Sequence, residues 1–340
     1  MSKAKPDKLV GVWLLAIVVM VFAMVMVGGA TRLTQSGLSI TEWKPVSGAL
    51  PPLSQQDWQR VFDAYRQTTQ YAQLNRGMNL GEFQYIFWWE WAHRLLGRLI
   101  GFVFLIPFLA FWATGRLKAR FLRVLALFAL GGLQGFVGWL MVASGLAGRT
   151  EVNPAWLAAH LAVAFFIMAF ALWLALDAFD WPRVRGKTGA PRGFALAFVA
   201  ALFVQIMFGA LLAGSHGGAA YADWPTIGGR IFPAGYGLDI VENHATQHFN
   251  HRTLGYAVAA LALTIAVLAF RKGEGTSRTT AIALGGVALA QACLGIATVI
   301  AGTPLGLALT HQAGAAVLWL FGWTVLRVGY YDTVSTSGGK

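Results

Sequence analysis

Long apolar runs, broken by short clusters of basic, glycine and proline residues, set the rhythm of this chain. They predict helices over roughly 9–30, 85–113, 120–144, 155–177, 192–214, 247–270, 278–301 and 305–329. Each is long enough to span about 30 Å of hydrocarbon. The first run is too long for a signal-peptide core and has no clear small-residue cleavage site, so it reads as a span. The basic clusters fall at alternate helix ends: Lys3, Lys5 and Lys8; Arg116, Lys118 and Arg120; Arg183, Arg185, Lys187 and Arg192; Arg271, Lys272 and Arg278. By the positive-inside rule these loops and both termini are cytoplasmic. The second, fourth, sixth and eighth helices then run from outside inward.

One stretch interrupts the apolar pattern: Glu82 to Gly101, EFQYIFWWEWAHRLLGRLIG. Glu90, His93, Arg94 and Arg98 are groups a lipid-facing helix excludes. Glu90 and His93 share a helix face, and Gly97, one turn on, clears room beside the ring. The stretch recurs 158 residues downstream (251 − 93), where His251-Arg252-Thr253-Leu254-Gly255 matches His93-Arg94-Leu95-Leu96-Gly97. Leu133-Gln134-Gly135-Phe136-Val137-Gly138 likewise resembles Ala290-Gln291-Ala292-Cys293-Leu294-Gly295, and His160 corresponds to His311. This internal duplication predicts an all-α polytopic membrane protein. Its eight transmembrane helices form two tandem four-helix bundles, 1–180 and 181–340, related by a pseudo-twofold axis along the membrane normal. Paired histidines in each half point to bis-histidine haem sites near the outer face, with His93, His160, His251 and His311 on haem iron.

Composition supports the membrane reading, with 57% hydrophobic and 12% charged residues. The net charge of +12 sets topology instead of marking a nucleic-acid surface. The external loop 31–84 predicts a short helix capped by Ser54, with Trp58, Phe62 and Tyr65 as a stripe lying on the membrane or covering a site. The second-half loop, Ser215 to Ala245, is shorter and glycine-rich, and its His216 and His244 read as surface residues. Cys293 stands alone, excluding an intrachain disulfide. Met20, Met24 and Met26 read as packing residues, and Gln134 and Gln291 as interhelical hydrogen-bonding groups. Pro107 suggests a kink, and Trp88, Trp89 and Trp91 an interfacial belt.

These residues carry a family resemblance over nearly the whole chain. Gly28-Gly29-Ala30-Thr31-Arg32-Leu33-Thr34, Ser36-Gly37-Leu38-Ser39, Thr41-Glu42-Trp43-Lys44-Pro45, Glu90-x-x-His93-Arg94 and Gln247-His248-Phe249-Asn250-His251-Arg252-Thr253-Leu254-Gly255 resemble haem A synthases of the cysteine-free type. The resemblance implies a membrane oxidoreductase acting on a CH group. A ring methyl of the substrate haem O is taken through an alcohol to the formyl group of haem A, for cytochrome oxidase, with haem b as a second haem. It also implies a bacterial plasma membrane location, an enzyme that supplies haem O, contact with the oxidase assembly machinery and an electron partner that the sequence leaves open. A homo-oligomer is compatible with it.

The halves differ at one telling position, for Glu90 is replaced by His248 in the second copy. This assigns catalysis to Glu90, His93 and His160, and haem b to His251 and His311. The carboxylate would take a proton, stabilise a developing cation or orient water. Arg94 and Arg252 are expected at haem propionates. Two histidines per iron leave open whether one ligand departs or electrons are withdrawn without oxygen binding. The alternatives are a dihaem b-type electron carrier linked to quinone, which leaves the single carboxylate unexplained, and a haem-handling assembly factor.

Overall fold

The computed structural model describes residues 5–44, 46–181 and 188–337, with side chains to residue 329. Lys3, Pro45, Arg183, Arg185 and Lys187 lie outside the described residues. Among the described residues there are ten α-helices: α1 (Lys8–Leu33), α2 (Gln55–Tyr65), α3 (Thr69–Gln73), α4 (Leu80–Ala113), α5 (Phe121–Leu146), α6 (Pro154–Phe179), α7 (Arg192–Gly214), α8 (His244–Lys272), α9 (Gly275–Ile300) and α10 (Leu305–Ser337). Eight of them, all but α2 and α3, are long and apolar enough to cross a membrane. The expected spans are all found, their ends displaced by a few residues.

The displacements have a local cause: polar caps extend several helices beyond their apolar cores. Asn79 and Glu82 form a capping box that starts α4 outside the predicted apolar run, and Asn243 caps α8 in the same way. Asp7 caps α1, and Asn153 precedes Pro154 at the first position of α6. Pro107 is accommodated within a continuous α4.

The packing order repeats along the chain. α1 packs on α4 and α6, and α5 on α4 and α6; α7 packs on α8 and α10, and α9 on α8 and α10. Contacts of α6 with α7, α1 with α10 and α6 with α10 join the two sets. One large core runs through the centre, with Leu14, Ile17, Phe165, Met168, Phe198, Ala262 and Trp319 among its buried residues. This order is compatible with tandem four-helix bundles.

The loop between α1 and α4 has its own core. Ser54 caps α2 as expected, and Phe62 and Tyr65 bury completely against Phe83, Ile86 and Phe87 of α4. The amphipathic stripe therefore packs on the N-terminal turns of α4. Tyr65 donates to Gln70, whose amide donates to the carbonyl of Gln35, tying this layer to the end of α1.

Candidate active site

Each of the four predicted histidines projects from one helix toward a glycine on another. A Cβ built on Gly28 of α1 would lie 3.2 Å from His93 Nε2, and one on Gly138 of α5 would lie 2.7 Å from His160 Cε1. Gly209 of α7 faces His251 at 3.0 Å, and Gly295 of α9 faces His311 at 2.8 Å. At Gly138 and Gly295 any side chain would displace the imidazole. The glycine facing His93 is thus Gly28. Gly97, expected to clear that ring, instead makes room for the Met24 methyl of α1.

In the second half the two histidines come together. The rings of His251 and His311 are 6.4 Å apart between centroids and nearly perpendicular, at 84°. Two imidazoles on one metal, through bonds of about 2 Å, place their ring centres about 6 Å apart. His251 Nδ1 donates to the carbonyl of Gln205 at 3.2 Å, which fixes the tautomer, and the Nε2 lone pair accepts from the Gln205 side-chain amide at 3.4 Å, the position a metal would take. The Gln134 amide lies 3.2 Å from both ring nitrogens of His160. The side-chain oxygens of Gln134, Gln205 and Gln291 and the Nδ1 of His311 are buried without partners. Among the described residues no group of three or more His, Cys, Asp or Glu could hold a bare metal ion. Two facing imidazoles in a glycine-lined cradle fit a metal that brings its own equatorial donors, and this is what a haem provides.

Glu90 is buried, at 2% exposure, with all its lone pairs engaged. Arg94 donates to Oε1 from Nε at 3.0 Å and from a terminal nitrogen at 2.6 Å, while the Ser39 hydroxyl and the Ile40 amide each donate to Oε2 at 2.8 Å. Arg94 goes on to the carbonyls of Ile40 and Glu42, and Arg98 to that of Lys44. Successive turns of α4 therefore pin residues 39–44 of the loop between α1 and α4.

The second half repeats this clamp with other residues. His248 binds the Gly217 carbonyl through Nε2 and accepts from Arg252 at Nδ1, and Arg252 donates to the carbonyls of Tyr221, Asp223 and Thr226. Tyr256, one turn further, accepts from Trp224. Glu90 and His248 thus differ in chemistry but share a structural role, a sharing that the difference in residue type concealed. Both arginines are occupied by loop carbonyls where propionates were expected, although Arg252 keeps a buried Nε–H unused.

Outside the histidine pairs, a Thr226 hydroxyl and the Gly228 and Gly229 amides hold Asp223 well below the usual carboxylate range. At the C-terminal ends of α1 and α7, Arg32 binds Glu151 at 2.6 Å, the His216 ring and the Gly214 carbonyl, and His216 also contacts Glu151. His216 is thus tied into this cluster while remaining partly exposed. Gln35 and His216 each take a left-handed conformation, φ 55° and 54°, the same distance past Gly28 and Gly209. Gln205 was not singled out by sequence, because its counterpart by that spacing is Met24 and no repeated residue marks it.

Comparison with known proteins shows the family of the chain. A haem A synthase of Caulobacter vibrioides is 46% identical over 333 residues, covering 94% of this chain and 96% of that protein. One of Rhodospirillum centenum is 48% identical over 334 residues, covering 95% and 89% respectively, and one of Maricaulis maris is 45% identical. The profile of the COX15-CtaA family, described as cytochrome oxidase assembly proteins, matches residues 11–322, and the chain belongs to that family.

Proposed function

We propose that this protein is a haem A synthase that oxidises a ring methyl of haem O through an alcohol to the formyl group of haem A. The observation that carries the reading is the facing pair His251 and His311, with a glycine set against each of the four histidines, in a chain of this family. His93 and His160 hold the substrate haem in the half 1–180, and His251 and His311 hold haem b in the half 181–340. When bound, haem supplies the iron redox chemistry.

The chain's own residues orient and protect. Gly28, Gly138, Gly209 and Gly295 set the space for the imidazoles, and α2 and α3 close the outer end of the first half. Glu90 places negative charge beside the first site. It serves the reaction through that charge, or through a proton accepted at Oε2 when the Ser39 hydroxyl is given up. Arg94 and Arg252 hold the covering loops closed; the unused Nε–H of Arg252 is the donor available to a propionate. The protein sits in the bacterial plasma membrane with cytoplasmic termini and haems toward the outside, takes haem O from the enzyme that makes it, and serves oxidase assembly.

Extraction of the bound haems from purified protein tests the proposal. Haem b together with haem O, its alcohol or haem A is expected. Haem b alone would turn the reading toward an electron carrier or a haem-handling factor.

A further inference from the structure

Two unlike contacts join the halves beside the histidines. His311 is followed by Gln312, whose amide donates to the Val25 carbonyl of α1 at 2.5 Å and lies where a side chain on Gly29 would collide. Gly28, the preceding residue of α1, faces His93. At the matching positions His160 is followed by Leu161, and Gly209, which faces His251, is followed by Ala210. Leu161 and Ala210 share a small apolar cluster with Ala158 and Leu211. The same junction is therefore polar on one side of the molecule and apolar on the other.

An amide inside an apolar helix bundle needs a reason, since burial costs free energy unless its hydrogen bonds are made. Packing alone does not supply one, because leucine and alanine fill the equivalent contact. Electron tunnelling falls steeply with distance and passes better through covalent and hydrogen bonds than across van der Waals gaps. The polar side offers such a path but for one van der Waals gap: His311 to Gln312 along the chain, across the hydrogen bond to the Val25 carbonyl, through the α1 backbone to Gly28, and over the gap to His93. The apolar side offers only side-chain contact.

We infer that Gln312 and the Val25–Gly29 turn form the junction that carries electron exchange between the groups held by the two histidine pairs, by way of His311 and His93. The inference rests on the two-haem reading above. The step is a one-electron exchange: a ferrous iron in one half is oxidised while a ferric iron in the other is reduced, with no proton or further reactant. Gln312 is a positioning residue.

The test begins with the haem content and reduced-minus-oxidised spectrum of the purified holoprotein, followed by the rate of interhaem equilibration after photoreduction. Fewer than two haems in the unmodified protein would overturn the two-haem reading itself. With two present, Gln312→Met, close in volume but without the hydrogen bond, is expected to keep both spectra and slow equilibration severalfold; Leu161→Met should leave it unchanged. Adding Leu161→Gln with Ala210→Gly to Gln312→Met should restore part of the rate through the other side. Two retained haems with an unaltered rate in Gln312→Met would overturn the inference. So would loss of the second haem from both Gln312→Met and Gln312→Leu, which would make the residue a structural part of that site.

Discussion

At the scale of single residues, the site is governed as much by missing side chains as by present ones. Gly295→Ala puts a methyl within 2.8 Å of His311 Cε1, a separation that forces the ring to move. Loss of the second haem from that variant is expected, read as a fall in the low-spin haem b signal, while Gly286→Ala, with open space around its Cβ, should be silent. Glu90→Gln is expected to retain haem but lower haem A yield by about 10²-fold or more, the scale of acid–base and charge effects. Ser39→Ala removes one donor to the same carboxylate without removing its charge, so its effect should be far smaller. Equal effects of the two would reduce Glu90 to a loop anchor. The histidines were legible because they recur with the same neighbours. The glycine contacts were only half legible: Gly138 and Gly295 sit in the repeated stretch, yet nothing in a sequence says which ring a glycine makes room for.

At the scale of elements, spans were legible because apolar runs of the right length have few other uses. What held the loops was not, since a guanidinium bonded to a loop carbonyl leaves no mark on residue type at the accepting end. The stripe Trp58, Phe62, Tyr65 was visible, but its partner was not, because membrane and protein ask for the same side chains. Phe62→Ala should cost about 3–5 kcal/mol of local stability, the usual penalty for emptying a buried aromatic site. Faster proteolysis within 50–78, with the spans unaffected, would register it. In the second-half loop Asp223 is the organiser. Its folded value is depressed, so its contribution is complete above about pH 4 and is lost only in stronger acid. Asp223→Asn is therefore expected to loosen residues 221–230 at neutral pH, visible as faster amide exchange, whereas the unmodified loop should hold until well below pH 4.

At the scale of the whole molecule, polar ties between the halves stand near both ends of the helices. Opposite the Arg32, Glu151 and His216 cluster, Asp177 of α6 binds Arg327 of α10 at 2.7 Å and Arg123 of α5 at 2.6 Å, with the Arg327 side chain only 3% exposed. Removing one partner of a buried pair leaves the other charge poorly solvated. Arg327→Met should lower stability by about 3 kcal/mol, seen as a reduced Tm in detergent, with haem spectra unchanged below the transition. An unchanged Tm would show that the other partners of Asp177, Arg123 among them, satisfy it.

The glycine cradles also carry a consequence for biogenesis. Every wall of the first site, Gly28, His93, Gly138 and His160, belongs to α1, α4, α5 or α6, so all are present once the ribosome has passed Phe179. The second site needs His311, close to the end of the chain. On the proposed assignment of the histidine pairs, loading during synthesis has a built-in order, with haem taken up in the first half while the second is still being translated.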